Sequence, residues 1–170
     1  YLEADIAQLG VDQRKVNVVA RQVADELGWE KPAAVHHHML LGLGHTEVSK
    51  DADAVERAIA MKMSKSNPDS AIFMTDSPEE VERKIRKAYA PPQIIEDNPV
   101  LEYTKYILFD SFETVKIERE EKHGGNIEYT LYKDLEKDYV SGALFPLDLK
   151  NTLARDLNKL LDPVRKHFVD

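Results

Sequence analysis

Met61-Lys62-Met63-Ser64-Lys65-Ser66-Asn67-Pro68-Asp69-Ser70 is the stretch from which the fold of this chain is read. It sets two lysines three positions apart among serine hydroxyls. A lysine ammonium is a compact cation on a flexible stem that suits phosphate oxygens, and serine hydroxyls can donate to the same oxygens. Pro68 and Asp69 mark a turn, which places the lysines on a loop. Out of context the run also reads as a solvated Lys/Ser loop beside a turn.

The text on either side narrows the choice. The run resembles, at all five positions from Lys62 to Ser66, the Lys-Met-Ser-Lys-Ser signature of class I aminoacyl-tRNA synthetases. Ser70-Ala71-Ile72-Phe73-Met74 followed by Asp76-Ser77-Pro78-Glu79-Glu80 is similar to the way this loop re-enters a strand and then a helix in the tyrosyl and tryptophanyl enzymes. The resemblance implies that an amino-acid carboxylate attacks the α-phosphorus of ATP and pyrophosphate leaves. Charge builds on the leaving phosphates, so cations placed there act mainly on the transition state. Lys62 and Lys65 are then the catalytic pair, and Met63, Ser64 and Ser66 complete the ATP-binding run.

Composition bounds the rest. The chain has 170 residues, enough for one domain or two small ones, with 42% hydrophobic and 32% charged residues. No apolar run reaches membrane-spanning length. The absence of cysteine excludes a disulfide framework and thiolate metal sites, which fits a cytoplasmic setting. A net charge of −8 argues against generic nucleic-acid binding, and the tRNA recognition that the resemblance implies is expected to be local. The chain opens at Tyr1, and Asp5, Ile6, Ala7 and Leu9 already read as the inside of a folded segment. The expectation is therefore the C-terminal part of a longer protein.

Along the chain, Val16, Val19, Ala20, Val23 and Leu27 recur at helical spacing, predicting a helix from about Asp12 to Gly28. Ala33-Ala34-Val35 predicts a short buried strand ending at His36, His37 and His38. A short helix is expected over 54–60 and a strand over Ile72-Phe73-Met74. Ser77-Pro78-Glu79-Glu80 is a capping box, with Val81, Ile85 and Ala88 as the buried stripe of its helix. Ala90-Pro91-Pro92 breaks the pattern and marks a domain boundary near residue 90. Asn98-Pro99 opens a helix through Leu108. Thr114–Arg119 and Ile127–Tyr132 predict a hairpin around Gly124-Gly125, and helices follow over Lys133–Val140 and from Leu147 to about Phe168.

Three further blocks resemble the tyrosyl-tRNA synthetases of archaeal and eukaryotic type. Gly10-Val11-Asp12-Gln13-Arg14-Lys15 is similar to a segment whose glutamine holds the ammonium group of tyrosine, a role that falls on Gln13. By residue type alone the block is also a capped helix start. Val35 to Leu43 resembles the strand end and loop near the ATP adenine, with His36 as the site-lining candidate. Consecutive histidines on a strand point to alternating faces, so no metal site is expected from them. Glu121 to Asn126 and Phe145 to Asn151 resemble anticodon-reading elements. The resemblance gives Asp148 the Watson–Crick edge of a guanine, and His123 and Phe145 the stacking positions on either side of it. A carboxylate after Pro146 is equally a favourable helix-start charge. Lys150, Arg155 and Lys159 are candidates for phosphate contacts or for a solvated helix face.

The expected fold is thus α/β: the C-terminal part of a Rossmann-like class I synthetase catalytic domain over residues 1–90, then a mostly helical anticodon-binding domain over 91–170. The implied activity is that of a tyrosine–tRNA ligase. Its partners would be tyrosine, ATP with Mg²⁺, tRNA-Tyr and a second copy in a homodimer, with no membrane contact. The tryptophanyl enzyme and a non-catalytic tRNA- or protein-binding module are the alternatives. The family's first nucleotide signature and the carboxylate that recognises the tyrosine phenol do not occur here, so this chain alone is not expected to form the adenylate.

Overall fold

The computed structural model describes residues 4–44, 51, 60–64 and 66–168. They fall into two compact units, Tyr1–Met39 with Glu47–Lys62, and Leu40–Thr46 with Met63–Asp170.

The first unit is a β-α-β turn of chain. Strand β1 (Ile6–Gly10) pairs in parallel with β2 (Ala33–His37), in register from Ile6↔Ala33 to Gly10↔His37. A 3₁₀ turn at Val11–Gln13 leads into α1 (Arg14–Leu27). The helix stops at Gly28, whose φ of +66° is left-handed and cheap only for glycine. Trp29 N–H then closes back on Ala24 O at 2.8 Å.

Burial here departs from the sequence reading. Ile6 is 65% exposed and Val35 47%, so neither the opening segment nor β2 is the buried interior that their apolar residues suggested. β2 also runs further than expected and takes in His36 and His37. The apolar stripe of α1 forms as a helix face, yet Val16, Val19 and Val23 are exposed and border an open hollow of about 550 Å³ with Trp29. The reason is architectural. Parallel strands are ordinarily covered on both faces, and the two strands and one helix among the described residues of this unit have too little surface to cover them.

The second unit holds the main core. Helix α2 (Pro78–Lys87) starts on Ser77, whose Oγ accepts the Glu80 N–H at 3.2 Å with Pro78 in the first turn, as the capping box predicts. Its Val81, Ile85 and the following Ala88 are buried and join Leu149, Leu153 and Leu157 of the long helix α6 (Pro146–His167). Each of the valine, isoleucine and leucine side chains contributes about 1.5–3 kcal/mol on leaving water. Ile72-Phe73-Met74 is not a strand. Phe73 N–H donates to Asp76 Oδ2 at 2.9 Å and Asp76 N–H to Phe73 O at 3.0 Å, so the apolar triplet lies in a turn closed by its own carboxylate.

Helix α3 (Pro99–Tyr103) begins at Asn98, whose Oδ1 accepts the Leu101 N–H. It continues through a π-helical turn at Thr104–Leu108 into α4 (Phe109–Ser111). Thr104 Oγ1 donates to Val100 O at 2.8 Å where the winding changes. Strands β3 (Val115–Ile117) and β4 (Ile127–Tyr129) form the predicted antiparallel hairpin, shorter than expected. Helix α5 (Tyr132–Ser141) follows. Its fully buried Tyr139 donates to Pro91 O at 2.8 Å and accepts from Asn98 Nδ2 at 3.1 Å, tying the proline break to the start of α3. The helix expected over 54–60 lies, apart from Ala60, outside the described residues. Among the described residues no helix is long and apolar enough to cross a membrane.

Candidate functional site

In open parallel sheets, ligands gather at the carboxyl ends of the strands. Here β1 ends at Gly10 and β2 at His37, side by side, so Asp12 and Gln13 after one strand and His36 to His38 at the other share a single edge. A Cβ at Gly10 would stand 2.6 Å from Asp12 Oδ1 and 2.9 Å from Met39 Sδ, so a side chain there would displace both.

One carboxylate oxygen organises this edge. Asp12 Oδ2 accepts from Gln13 Nε2 at 3.2 Å and pairs with Lys62 Nζ at 3.4 Å. The Gln13 hydrogen bond, followed by the bond and charge of Lys62, outweighs the opposing effect of burial and holds the Asp12 carboxyl below the usual carboxylate range. Gln13 and Lys62, assigned from sequence to different substrates, thus meet on one atom. Asp12 was not singled out in the sequence, although it sits inside the Asp-Gln-Arg-Lys block.

His36 Nε2 lies 3.0 Å from Asn17 Nδ2. An amide nitrogen only donates, so in this contact the ring nitrogen is the acceptor. Asn17 is buried on α1, a polar residue among valines, and that interruption was the available signal for it.

The rest of the lysine run belongs to the second unit, while Lys65 lies outside the described residues. Tyr103 OH donates to Leu41 O at 3.0 Å with Met63 Sδ 3.8 Å away, and burial raises the Tyr103 phenol well above its ordinary value. Ser66 N–H donates to Ser64 Oγ at 3.2 Å. Ser64 N–H in turn donates at 3.0 Å to the buried hydroxyl of Ser70, which itself donates to Asn67 O at 2.6 Å. Ser70 closes the 3₁₀ turn Pro68–Ser70, and it is a stem residue that the sequence reading passed over.

The C-terminal candidates sit at the start of α6 and on the hairpin turn. Phe145 is the N-cap and is 57% exposed, and Asp148 lies in the first turn, where the helix dipole favours a carboxylate. His123 ends a 3₁₀ turn at Glu121–His123 and is exposed. Arg119 links the two segments. Its Nε donates to Gly125 O at 3.0 Å and its Nη1 to Ala143 O at 2.8 Å, two residues before Phe145. The cations proposed for phosphates are engaged within the fold. Lys150 Nζ donates to Arg86 O at 3.1 Å, Arg155 Nη2 to Lys116 O at 2.8 Å, and Lys159 Nζ to Asp156 at 2.8 Å. Among the described residues no cluster of three or more His, Asp or Glu is arranged to hold a metal ion.

Residues 1–162 match the family described as tRNA synthetases class I (W and Y). The chain belongs to this family of class I tRNA synthetases. Among curated relatives it is 46% identical over 169 residues to a tyrosine–tRNA ligase of Saccharolobus solfataricus, covering 98% of this chain and 46% of that protein. It is 49% identical over 169 residues to tyrosine–tRNA ligase 1, cytoplasmic, of Arabidopsis thaliana, covering 99% of this chain and 40% of that one. The synthetase chain therefore spans less than half the length of these relatives. Its fold matches the crystal structure of tyrosyl-tRNA synthetase complexed with L-tyrosine from Pyrococcus horikoshii, with a TM-score of 0.85 and 42% identity over 96% of this chain and 48% of that one. A tryptophanyl-tRNA synthetase from Giardia lamblia shares the fold at a TM-score of 0.64 with 23% identity.

Proposed function

We propose that this chain supplies the C-terminal part of a tyrosine–tRNA ligase, which activates tyrosine with ATP to tyrosyl-adenylate and transfers it to tRNA-Tyr. The observation that carries the reading is the identity of 46% and 49% to proteins of that name along essentially the whole chain. The tryptophan enzyme of the same fold stands at 23%.

In this reading residues 1–90 complete a Rossmann-like catalytic domain and 91–170 form the anticodon-binding domain. Gln13 holds the tyrosine ammonium group through its side-chain oxygen. The tyrosine carboxylate then attacks the α-phosphorus, and the bond to pyrophosphate breaks. Lys62 and Lys65 neutralise charge on the departing phosphates, with Met63, Ser64 and Ser66 lining the same run and His36 beside the adenine. Lys62 suits a shared role. Its contact with Asp12 is long at 3.4 Å and its side chain is 51% exposed, so a triphosphate competes for it readily. Mg²⁺ enters with ATP as part of the substrate. Asp148 accepts the paired N–H donors of guanine, with His123 and Phe145 stacking on the base. A homodimer in the cytoplasm is the expected setting.

The test is amino-acid-dependent pyrophosphate exchange on the full-length protein. Tyrosine supports exchange in this reading, and the 170-residue chain alone supports none. Exchange with tryptophan instead would assign the other substrate, and exchange with neither would make the protein a non-catalytic module.

A further inference from the structure

Lys84 is the only buried cation among the described residues, its side chain 3% exposed. Three groups surround its ammonium. Asp76 Oδ2 lies at 2.6 Å, Ala71 O at 3.0 Å, and the Phe73 ring centroid at 4.5 Å, within cation–π range. All three belong to the short segment that directly follows Ser70 and the lysine run. The same segment is held elsewhere. Asp76 O accepts from Arg165 Nε of α6 at 2.7 Å, and Arg83 of α2 forks onto Asp69. On the other side of Ala71, the Ser70 carbonyl accepts the Leu43 N–H at 2.9 Å and its hydroxyl holds Ser64 and Asn67. A continuous set of bonds therefore runs from the Lys84 ammonium to Ser64, in the middle of the lysine run.

Stability alone does not account for this arrangement. Replacing a buried ion pair by apolar side chains of similar volume is often neutral or stabilising. What the charged pair adds is direction. One ammonium fixes a carboxylate, a carbonyl and a ring in one register, which an apolar contact does not. We propose that Lys84 is a positioning residue for the lysine run: it fixes Ser64 and the stem Ser66–Asp76, and through them it sets how the run meets the nucleotide. The inference rests on the proposed reading of that run as ATP-binding.

Lys84→Met alone strands the Asp76 carboxylate, which is 12% exposed, and is expected to lower stability. The informative variant is Lys84→Met with Asp76→Asn, which removes both charges, keeps the volume and leaves an oxygen for Phe73 N–H. In the full-length protein this variant should keep its melting temperature and its KM for tyrosine, while its kcat/KM for ATP in exchange falls at least about tenfold. Wild-type exchange kinetics, or losses for ATP and tyrosine in equal measure, would overturn the proposal. A second readout does not depend on the assigned activity. In the 170-residue chain, amide hydrogen exchange at Ser64, Ser70 and Ala71 should accelerate at least about tenfold while α6 keeps its protection. Unchanged exchange at those amides, or loss of protection over α6 as well, would leave Lys84 with no positioning role. If the wild-type full-length protein shows no exchange with tyrosine, the proposed function fails, and the amide readout still decides whether Lys84 fixes the stem.

Discussion

Two carboxylates on α6 show how position decides what an aspartate does. Asp156 is buried, and burial alone would raise its carboxyl, yet hydrogen bonds from Arg155 and Lys159, both at 2.8 Å, hold it below the ordinary range. A carboxyl lowered on folding contributes stability that is present above its unfolded value and is lost as pH falls through the folded one. Denaturant titrations should therefore show stability falling as pH drops below about 4, with a shallower slope in Asp156→Asn. Asp148, in the first turn of the same helix, has no such cationic partner among the described residues and follows the exposed N-cap Phe145 by three positions. Asp148→Ala in the full-length protein should weaken charging of a G-first anticodon by about 1–3 kcal/mol relative to other first bases. An unchanged preference in charging assays would remove it from base reading.

At the scale of elements, the termini carry much of the specification. The Ser77 cap with Pro78 sets where α2 starts, and that start fixes which face presents Arg83 and Lys84 to the stem of the lysine run. Ser77→Ala removes the acceptor for Glu80 N–H and should cost about 1 kcal/mol, read as a lower denaturation midpoint. Ser77→Asp should restore it, because aspartate also caps and a negative charge suits the helix N-terminus. The hairpin follows the same logic. Gly124 and Gly125 both adopt positive φ, +93° and +71°, and Arg119 then fastens their turn to the chain entering α6.

For the molecule as a whole, the contrast between the units is the dominant feature. The second unit buries Val81, Ile85, Leu135, Tyr139, Leu149 and Leu153 completely, whereas the first leaves Ile6, Val16, Val19 and Trp29 largely exposed. Hydrogen exchange on the 170-residue chain should thus find the amides of α1 and β2 at least about tenfold less protected than those of α6, and the full-length protein should close that gap. Equal protection in the short chain would show that the first unit needs no further cover. The same contrast marks what could be read beforehand. Helices α2, α5 and α6, the hairpin and the stop at Gly28 were legible because caps, glycines and apolar periodicity act over a few residues. The likeness of Lys62 to Ser66 and of Asp12 to Lys15 to synthetase motifs was legible for the same reason. Burial in the first unit was not, since the apolar stripe of α1 looks the same whether or not anything covers it. The turn at Ile72–Met74 was missed because an apolar triplet reads as strand until Asp76 and Lys84 take its backbone and ring. By itself, then, the chain of residues determined the capped helices, the hairpin and the likeness to the family. Tertiary structure alone decided that Lys62 and Gln13 share one oxygen of Asp12, that Asn17 orients His36, and that Lys84 lies buried under the stem. Those pairings join residues distant along the chain, and only the folded backbone brings their atoms within hydrogen-bonding range.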